Sequence, residues 1–534
     1  MTLDVLIRGG RVIDGAGNPW YRADVGIVAD RIAAVGRLAG EPAARTVDAD
    51  GLLVCPGFVD MHTHSDLQLL ANPLHEPKVH QGVTLDVLGQ DGLSYAPVTD
   101  EVLVQLRGQL AAWNDDPPGF DWSWRSVGEY LDRLDRDGIA VNAAYLAPHG
   151  TIRMIAMGMD DRAPTDAELE QMKQLLADAL DEGAIGLSSG LTYTPGMYAD
   201  TGELVELCRV VGELGGFYSP HHRSYGKGAL EAFAEMIDVS RRSGCPLHLA
   251  HATMNFSVNK GKAPELLKLL DDALDDGCDI SLDTYPYLPG ATYLSALLPS
   301  WATEGGLAAT LARLSDVDER ERIRAEIEES GSDGAHGVPI DWEAIEINGV
   351  RHDRNAHLVG HSVAASARTQ GTEPARLYFD TLLDERLGTS CLMHVGHEEN
   401  VQAIMRHPTH TGGSDGLLVG ARPHPRAWGT FPRYLARYVR ELGVLDLAEC
   451  VAHLTGRAAR RLRLADRGLV RAGYAADLVL FDPETIADTA TFEDPRQPAT
   501  GLTHVFVNGV AALDDGRPTG ALAGGSLRNP GRTR

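Results

Sequence analysis

The spacing of apolar and polar positions changes twice along the 534 residues. Over about the first 55, short alternating runs predict half-buried strands: Asp4-Val-Leu-Ile, Arg11-Val-Ile, Ala23-Asp-Val-Gly-Ile-Val and Arg31-Ile-Ala-Ala-Val, with Gly, Asp and Asn turn signals between them. The texture returns near the other end, in Ala476-Asp-Leu-Val-Leu-Phe and His504-Val-Phe-Val-Asn-Gly-Val. Between the ends, mostly apolar runs alternate with stretches of helical period. The runs beginning at Gly82, Ala140, Ala184, Gly216, Pro246 and Asp279 read as strands, and Asp166–Glu182 and Thr201–Leu214 read as helices. The pattern predicts an α/β fold: a TIM (β/α)8 barrel over 56–445, with a small β-sandwich domain built from both ends, 1–55 and 446–534. Residues 301–355 are rich in charge and carry no barrel-like strand before Ile345, so they read as a lid insertion. The Gly/Arg/Pro-rich tail, about 520–534, is expected to fray.

Composition narrows the function classes. The chain is 43% hydrophobic and 23% charged, as an ordinary globular enzyme is. Its 75 acidic and 48 basic residues give a net charge of −27, a field that repels nucleic acid and anionic membranes. The six cysteines lie far apart with no C-x-x-C pair, which suits thiols in a reducing compartment. No apolar stretch approaches the ~18 residues of a membrane span, and the first residues alternate like a strand instead of forming a leader. A cytoplasmic monomer or homodimer acting on a small molecule is the expectation.

The chemistry starts at His62-Thr63-His64, which ends the apolar run from Leu52. Residues i and i+2 of a strand share a face, so the two imidazoles converge. Other strand ends carry further candidates: Asp91 in Gly-Gln-Asp-Gly, His221 after the run from Gly216, His251 in Leu-His-Leu-Ala-His, and Asp415 in Gly-Gly-Ser-Asp-Gly. Nitrogen and oxygen donors of this kind suit zinc, and an acid beside an activated water suits a general base. Barrel active sites sit at these strand ends, which is why a barrel is preferred over an open sheet.

Longer motifs extend the pattern: Pro56-Gly-Phe-Val-Asp-Met-His-Thr-His, His149-Gly-Thr-Ile-Arg153, Gly186-Leu-Ser-Ser-Gly-Leu-Thr-Tyr-Thr-Pro-Gly196, Tyr285-Pro-Tyr, and His424-Pro-Arg-Ala-Trp-Gly-Thr-Phe-Pro-Arg433. Over nearly its whole length the chain resembles the metal-dependent amidohydrolases, and among them the N-acyl-D-amino-acid deacylases (D-aminoacylases). The resemblance implies zinc-dependent hydrolysis of an N-acyl-D-amino acid to a carboxylate and a D-amino acid. It implies that His221 and His251 hold a tighter zinc, and that His62, His64 and Asp415 surround a second, weaker position. Asp415 would serve as base toward water and then as acid toward the leaving amine, and Arg426 would meet the substrate's α-carboxylate. Tyr193, Tyr285, Thr292 and His149 are the remaining pocket candidates.

Two departures stand out. Asp91 takes the place of a cysteine metal ligand and is our candidate bridge. Thr253 replaces a lysine, and Ala291, followed by Thr292, replaces a serine, both of which help hold the substrate carboxylate in the family. These departures leave room for a different amide substrate, such as a cyclic amide, a carbamoyl compound or a peptide-like product. A metal-binding scaffold without turnover is the reading from outside catalysis.

Overall fold

The computed structural model describes residues 2–529. Eight parallel strands follow one another around a barrel in chain order: β1 (Phe58–Asp60), β2 (Val83–Leu88), β3 (Asn142–Pro148), β4 (Gly186–Gly190), β5 (Phe217–His221), β6 (Leu247–Leu249), β7 (Ile280–Thr284) and β8 (His410–Gly412). All are buried throughout, as a parallel sheet covered by helices requires. The last strand returns to the first. Met61 N–H donates to Gly412 O at 3.1 Å, Asp415 N–H to His62 O at 2.8 Å and His64 N–H to Gly416 O at 3.1 Å. The hydrogen bonds that close the barrel therefore also hold three of the candidate ligands side by side.

The helices start where their sequences provide caps. Thr165 with Glu168, and Ser126 with Glu129, form capping boxes before Asp166–Asp181 and Val127–Asp137. Among the described residues, no helix is long and apolar enough to cross a membrane.

Strands from both ends join in one nine-stranded sheet, in which Leu53–Pro56 pairs antiparallel with Leu478–Phe481. The runs at Asp4 and Arg11 are a single strand, Leu3–Val12, whose register shifts between Ile7 and Gly10. Val5, Ile7, Val25, Ile27, Leu478, Leu480 and Phe506 fill a core of their own beside this sheet. Helical residues 447–462 pack on the barrel instead: Leu454 approaches Gly412, and Ala458 and Leu462 share a cluster with Val59 and Met61. We therefore place the start of the sheet's second half near Leu478, later than 446.

The insertion between β7 and β8 is larger than 301–355. Gly290–Tyr293, Ile345–Gly349, His361–Ser362 and Ser390–Met393 form an antiparallel sheet, and helices from 300 to 384 pack around a separate core that includes Leu297, Ile327, Ile347, Tyr378 and Met393. Its first and last strands in sequence, Gly290–Tyr293 and Ser390–Met393, pair with each other although Gly290 and Ser390 are 100 residues apart, so neither could be recognised alone.

The tail also differs from expectation as far as residue 529. Gly524 N–H donates to Ile139 O at 2.8 Å, Ala143 N–H to Gly525 O at 3.0 Å and Leu527 N–H to Ala143 O at 2.7 Å. These bonds lay it along the N-terminal end of β3, where its backbone groups find partners despite a loop-like composition. Residues 530–534 of the expected frayed segment lie outside the described residues.

Candidate metal centre and active site

All six candidate ligands meet at the C-terminal mouth of the barrel. His62, His64 and Asp91 form one group whose donor atoms lie within 4.8 Å of one another, and Asp91, His221 and His251 form a second. Asp91 belongs to both. Its Oδ1 lies 3.4 Å from His62 Nε2 and 3.4 Å from His251 Nε2, while Oδ2 lies 3.5 Å from His64 Nε2 and 3.2 Å from His221 Nδ1. Asp415 Oδ1 is 3.2 Å from His64 Nε2 and 3.8 Å from His62 Nε2, beside the first group.

Backbone strain helps aim these side chains. Asp91, His251 and Asp415 all have positive φ, at 56°, 30° and 47°. Such a conformation costs about 1–3 kcal/mol outside glycine and persists only where the surroundings impose it. Asp283 imposes it at His251, whose N–H donates to Asp283 Oδ1 at 2.9 Å. At Asp91 the turn closes over β4 because Gly190 has no side chain; a Cβ there would lie 2.1 Å from Asp91 O.

Electrostatics match metal ligation. Burial pushes His62 down to about 3, so its ring is a neutral donor. Burial would also lower His64, but hydrogen bonds to Asp415 and Asp91 outweigh it and raise the ring to about 9. Burial alone would raise both carboxylates. The histidines around Asp91, and Arg426 with the histidines around Asp415, instead hold them below the usual range. A site that keeps two buried carboxylates ionised and draws a proton onto the histidine between them is one that concentrates positive charge. His62 has both ring nitrogens buried without a hydrogen-bond partner, as a ligand awaiting a cation would. The donor set fits one or two zinc-like ions sharing Asp91.

Several positioning residues escaped the sequence reading. Tyr225 OH lies 2.9 Å from His251 Nδ1, and Thr192 Oγ1 lies 2.7 Å from His221 Nε2, so each ring's second nitrogen is held as metal-bound imidazoles usually are. Trp113 packs on His64 with ring centroids 4.5 Å apart. Lys78 pairs with Asp60 and donates to Ser414 Oγ at 2.7 Å, while Asp60 Oδ1 accepts from the N–H groups of His62 and Ser414. This buried pair ties the His62 and Asp415 loops together.

A cavity opens onto the cluster, lined in part by Tyr193, Thr253, Tyr285 and Thr292. Tyr193 OH lies 3.0 Å from Thr292 Oγ1. Arg426 sits directly behind it, fully buried, with Nη2 2.9 Å from Asp415 Oδ2 and its guanidinium 4.5 Å over the Tyr285 ring. Its Nε and Nη1 have no partner. His149 is not brought to the cavity. It is buried at the start of a helix, with Nε2 2.7 Å from Glu203 Oε1, beside Arg153 on the same carboxylate.

The profile described as the Amidohydrolase family matches residues 45–512. The chain belongs to the amidohydrolase family. This amidohydrolase is 37% identical over 530 residues to a D-aminoacylase of Alcaligenes xylosoxydans xylosoxydans, a match that covers 98% of this chain and 96% of the relative. A D-aminoacylase structure described as having a binuclear metal centre, with one-metal activation and second-metal attenuation, superposes with a TM-score of 0.83. The identity is 35%, and the match covers 99% of this chain and 100% of that one. The N-acyl-D-glutamate deacylase of Bordetella bronchiseptica, solved with zinc and a phosphonate mimic of the tetrahedral intermediate, gives a TM-score of 0.84 at 33% identity, again over 99% and 100% of the two chains. Similarity is nearly even between relatives named for different substrates, so side-chain preference has to be argued from the cavity.

Proposed function

We propose that this amidohydrolase hydrolyses N-acyl-D-amino acids to a carboxylate and a free D-amino acid. The carrying observation is the pair of ligand groups sharing Asp91, with Asp415 on one side of the opening and the unpaired donors of Arg426 directly behind it. His221, His251 and Asp91 would hold the tighter zinc, and His62, His64 and Asp415 a weaker second position. Zinc in such a site polarises the amide carbonyl and makes water acidic enough to lose a proton near neutral pH. Asp415, kept ionised beside Arg426, accepts that proton and passes it to the leaving nitrogen as the C–N bond breaks. Arg426 orients the α-carboxylate by its charge and by a charge-assisted hydrogen bond from the unpartnered Nη1.

No lysine or arginine is found among the residues lining the cavity, whose outer wall includes Phe256, Leu297, Met393 and Val395. That wall favours an apolar or uncharged substrate side chain over an acidic one. The six free cysteines, all buried except the half-buried Cys278, fit a reducing, cytoplasmic setting for a monomer or homodimer.

A second reading, an amide without an α-carboxylate, draws support from two features: Arg426 is screened behind Asp415 and Tyr285, and Thr253 and Ala291 add no charge. A panel of N-acetyl-D- and N-acetyl-L-amino acids, with metal content measured on the same sample, separates the readings. D-enantiomers of Met or Leu should be cleaved at least 100-fold faster than their L forms. Asp415→Asn should lower kcat at least 1,000-fold while metal stays bound, on the scale of losing a catalytic proton-transfer group. Turnover confined to cyclic or carbamoyl amides would overturn the D-amino-acid assignment, and no metal-dependent turnover of any amide would leave a scaffold.

A further inference from the structure

A second cavity adjoins the catalytic one, and the two share Thr192 and Ala296 in their walls. Thr192 is the residue held 2.7 Å from His221, so this annex begins immediately beside the ligand cluster. Met159, Met197, Tyr293, Leu298 and Leu307 supply apolar lining. Its polar side chains are largely turned away to backbone carbonyls: Gln109 Nε2 donates to Thr194 O at 2.9 Å, Thr303 Oγ1 to Ser300 O at 2.9 Å and Thr310 Oγ1 to Gly306 O at 3.0 Å. What remains facing the space is mainly hydrocarbon, which favours an apolar occupant.

The position of the annex indicates which end of the substrate it takes. Thr192 follows β4, while Arg426 and Tyr285 follow β8 and β7, across the barrel mouth. The two sides of an amide project in opposite directions from its carbonyl carbon. With the amino-acid half directed toward Arg426, the acyl half points toward Thr192 and Ala296. We infer that the annex binds the acyl chain, and that this enzyme cleaves N-acyl-D-amino acids bearing medium to long linear fatty acyl groups in preference to N-acetyl ones. The inference rests on the proposed deacylase reading and adds the acyl class to it.

The test is a chain-length series on one D-amino acid, from N-acetyl through N-hexanoyl to N-decanoyl D-methionine. Each methylene that enters apolar surroundings is worth about 0.8 kcal/mol, so kcat/KM should climb by up to about fourfold per methylene until the annex is full. Plugging the annex should then shorten the preference. Gly108 lies on the helix Asp100–Gln109, and a Cβ there meets nothing closer than Leu307 at 3.9 Å. The series Gly108→Ala, Gly108→Leu and Gly108→Phe fills the space in steps and favours the helix. The decanoyl-to-acetyl ratio of kcat/KM should fall in that order, at least tenfold for Phe, with the change carried by KM. Leu307→Trp repeats the plug from the insertion side should the helix variants fold poorly.

An intact enzyme that prefers acetyl over hexanoyl and decanoyl overturns the inference and leaves the deacylase reading standing. So does a ratio unmoved by both plugs, or a plug that changes side-chain preference instead of acyl preference. Failure to cleave N-acyl-D-amino acids of any length overturns both.

Discussion

At the scale of single residues, Asp91 carries the most weight, because each of its oxygens faces one histidine of each ligand group. Its loss should therefore empty both positions, whereas loss of His62 should spare the group formed with His221 and His251. After dialysis, Asp91→Ala should retain less than a tenth of the metal of the native enzyme, and His62→Ala about half or more. Elemental analysis of the two variants, prepared together, checks this; equal metal in both would show that Asp91 bridges nothing. The candidate ligands that the fold brings together were legible because each sits in a short run with its strand: His62 and His64 two apart, Asp91 in Gly-Gln-Asp-Gly, Asp415 in Ser-Asp-Gly. Tyr225, Thr192 and Trp113 were not, since nothing near them in sequence announces a partner 26, 29 or 49 residues away. His149, a pocket candidate from its place at a strand end, is turned to Glu203 by a bond that nothing near it in sequence announces.

Among elements, apolar runs located six of the eight barrel strands to within a few residues; the run from Leu52 divides between Leu53–Pro56 of the terminal sheet and Phe58–Asp60 of the barrel, and His410–Gly412 is too short to show a period. The insertion was only half legible: Gly290–Tyr293 and Ser390–Met393 are four residues each, too short to show a period, and they owe their strand form to each other. The helices after β3 and β4 are joined by a buried network of His149, Arg153 and Glu203, which predicts a pH-dependent contribution to stability. Burial would raise Glu203, but His149 and Arg153 outweigh it and hold the carboxyl below its usual value. A group with a lowered folded pKa contributes stability that is complete above its unfolded pKa, near 4.3, and is lost as pH falls through the folded value. Glu203→Gln should therefore cost on the order of 3–5 kcal/mol at pH 7, the scale for breaking a buried pair. The gap to the native protein should narrow below about pH 4. Urea midpoints of both proteins between pH 3.5 and 8 measure it, and a gap that stays constant across that range would assign the effect to packing.

Considered as a whole molecule, the chain separates its fastening from its chemistry. The ligand cluster lies at the C-terminal mouth of the barrel, and the tail crosses the opposite end at Ile139–Ala143. Composition hid this role, since part of the contact is backbone hydrogen bonding that any sequence can make, and the rest joins side chains far apart in sequence, such as Arg528 with Asp132 and Ser526 with Asp135; the glycines mark close approach, not looseness. Gly524 is the clearest case: a Cβ there would lie 2.1 Å from Val141 O. Gly524→Val should lift the tail from β3 and strand the N–H of Ala143, which now bonds Gly525 O, together with the O of Ile139. Each net hydrogen bond is worth about 0.5–1.5 kcal/mol, partly offset by the freedom the released residues regain. The net loss should be a few kcal/mol, which in a chain of this size lowers Tm by only a few degrees. Because the ligand cluster is at the other end of the barrel, kcat/KM at 25 °C should stay within twofold of the native enzyme. Thermal unfolding and steady-state rates on one preparation decide the point: a fall in kcat/KM beyond tenfold with Tm intact would mean that the two ends of the barrel are coupled.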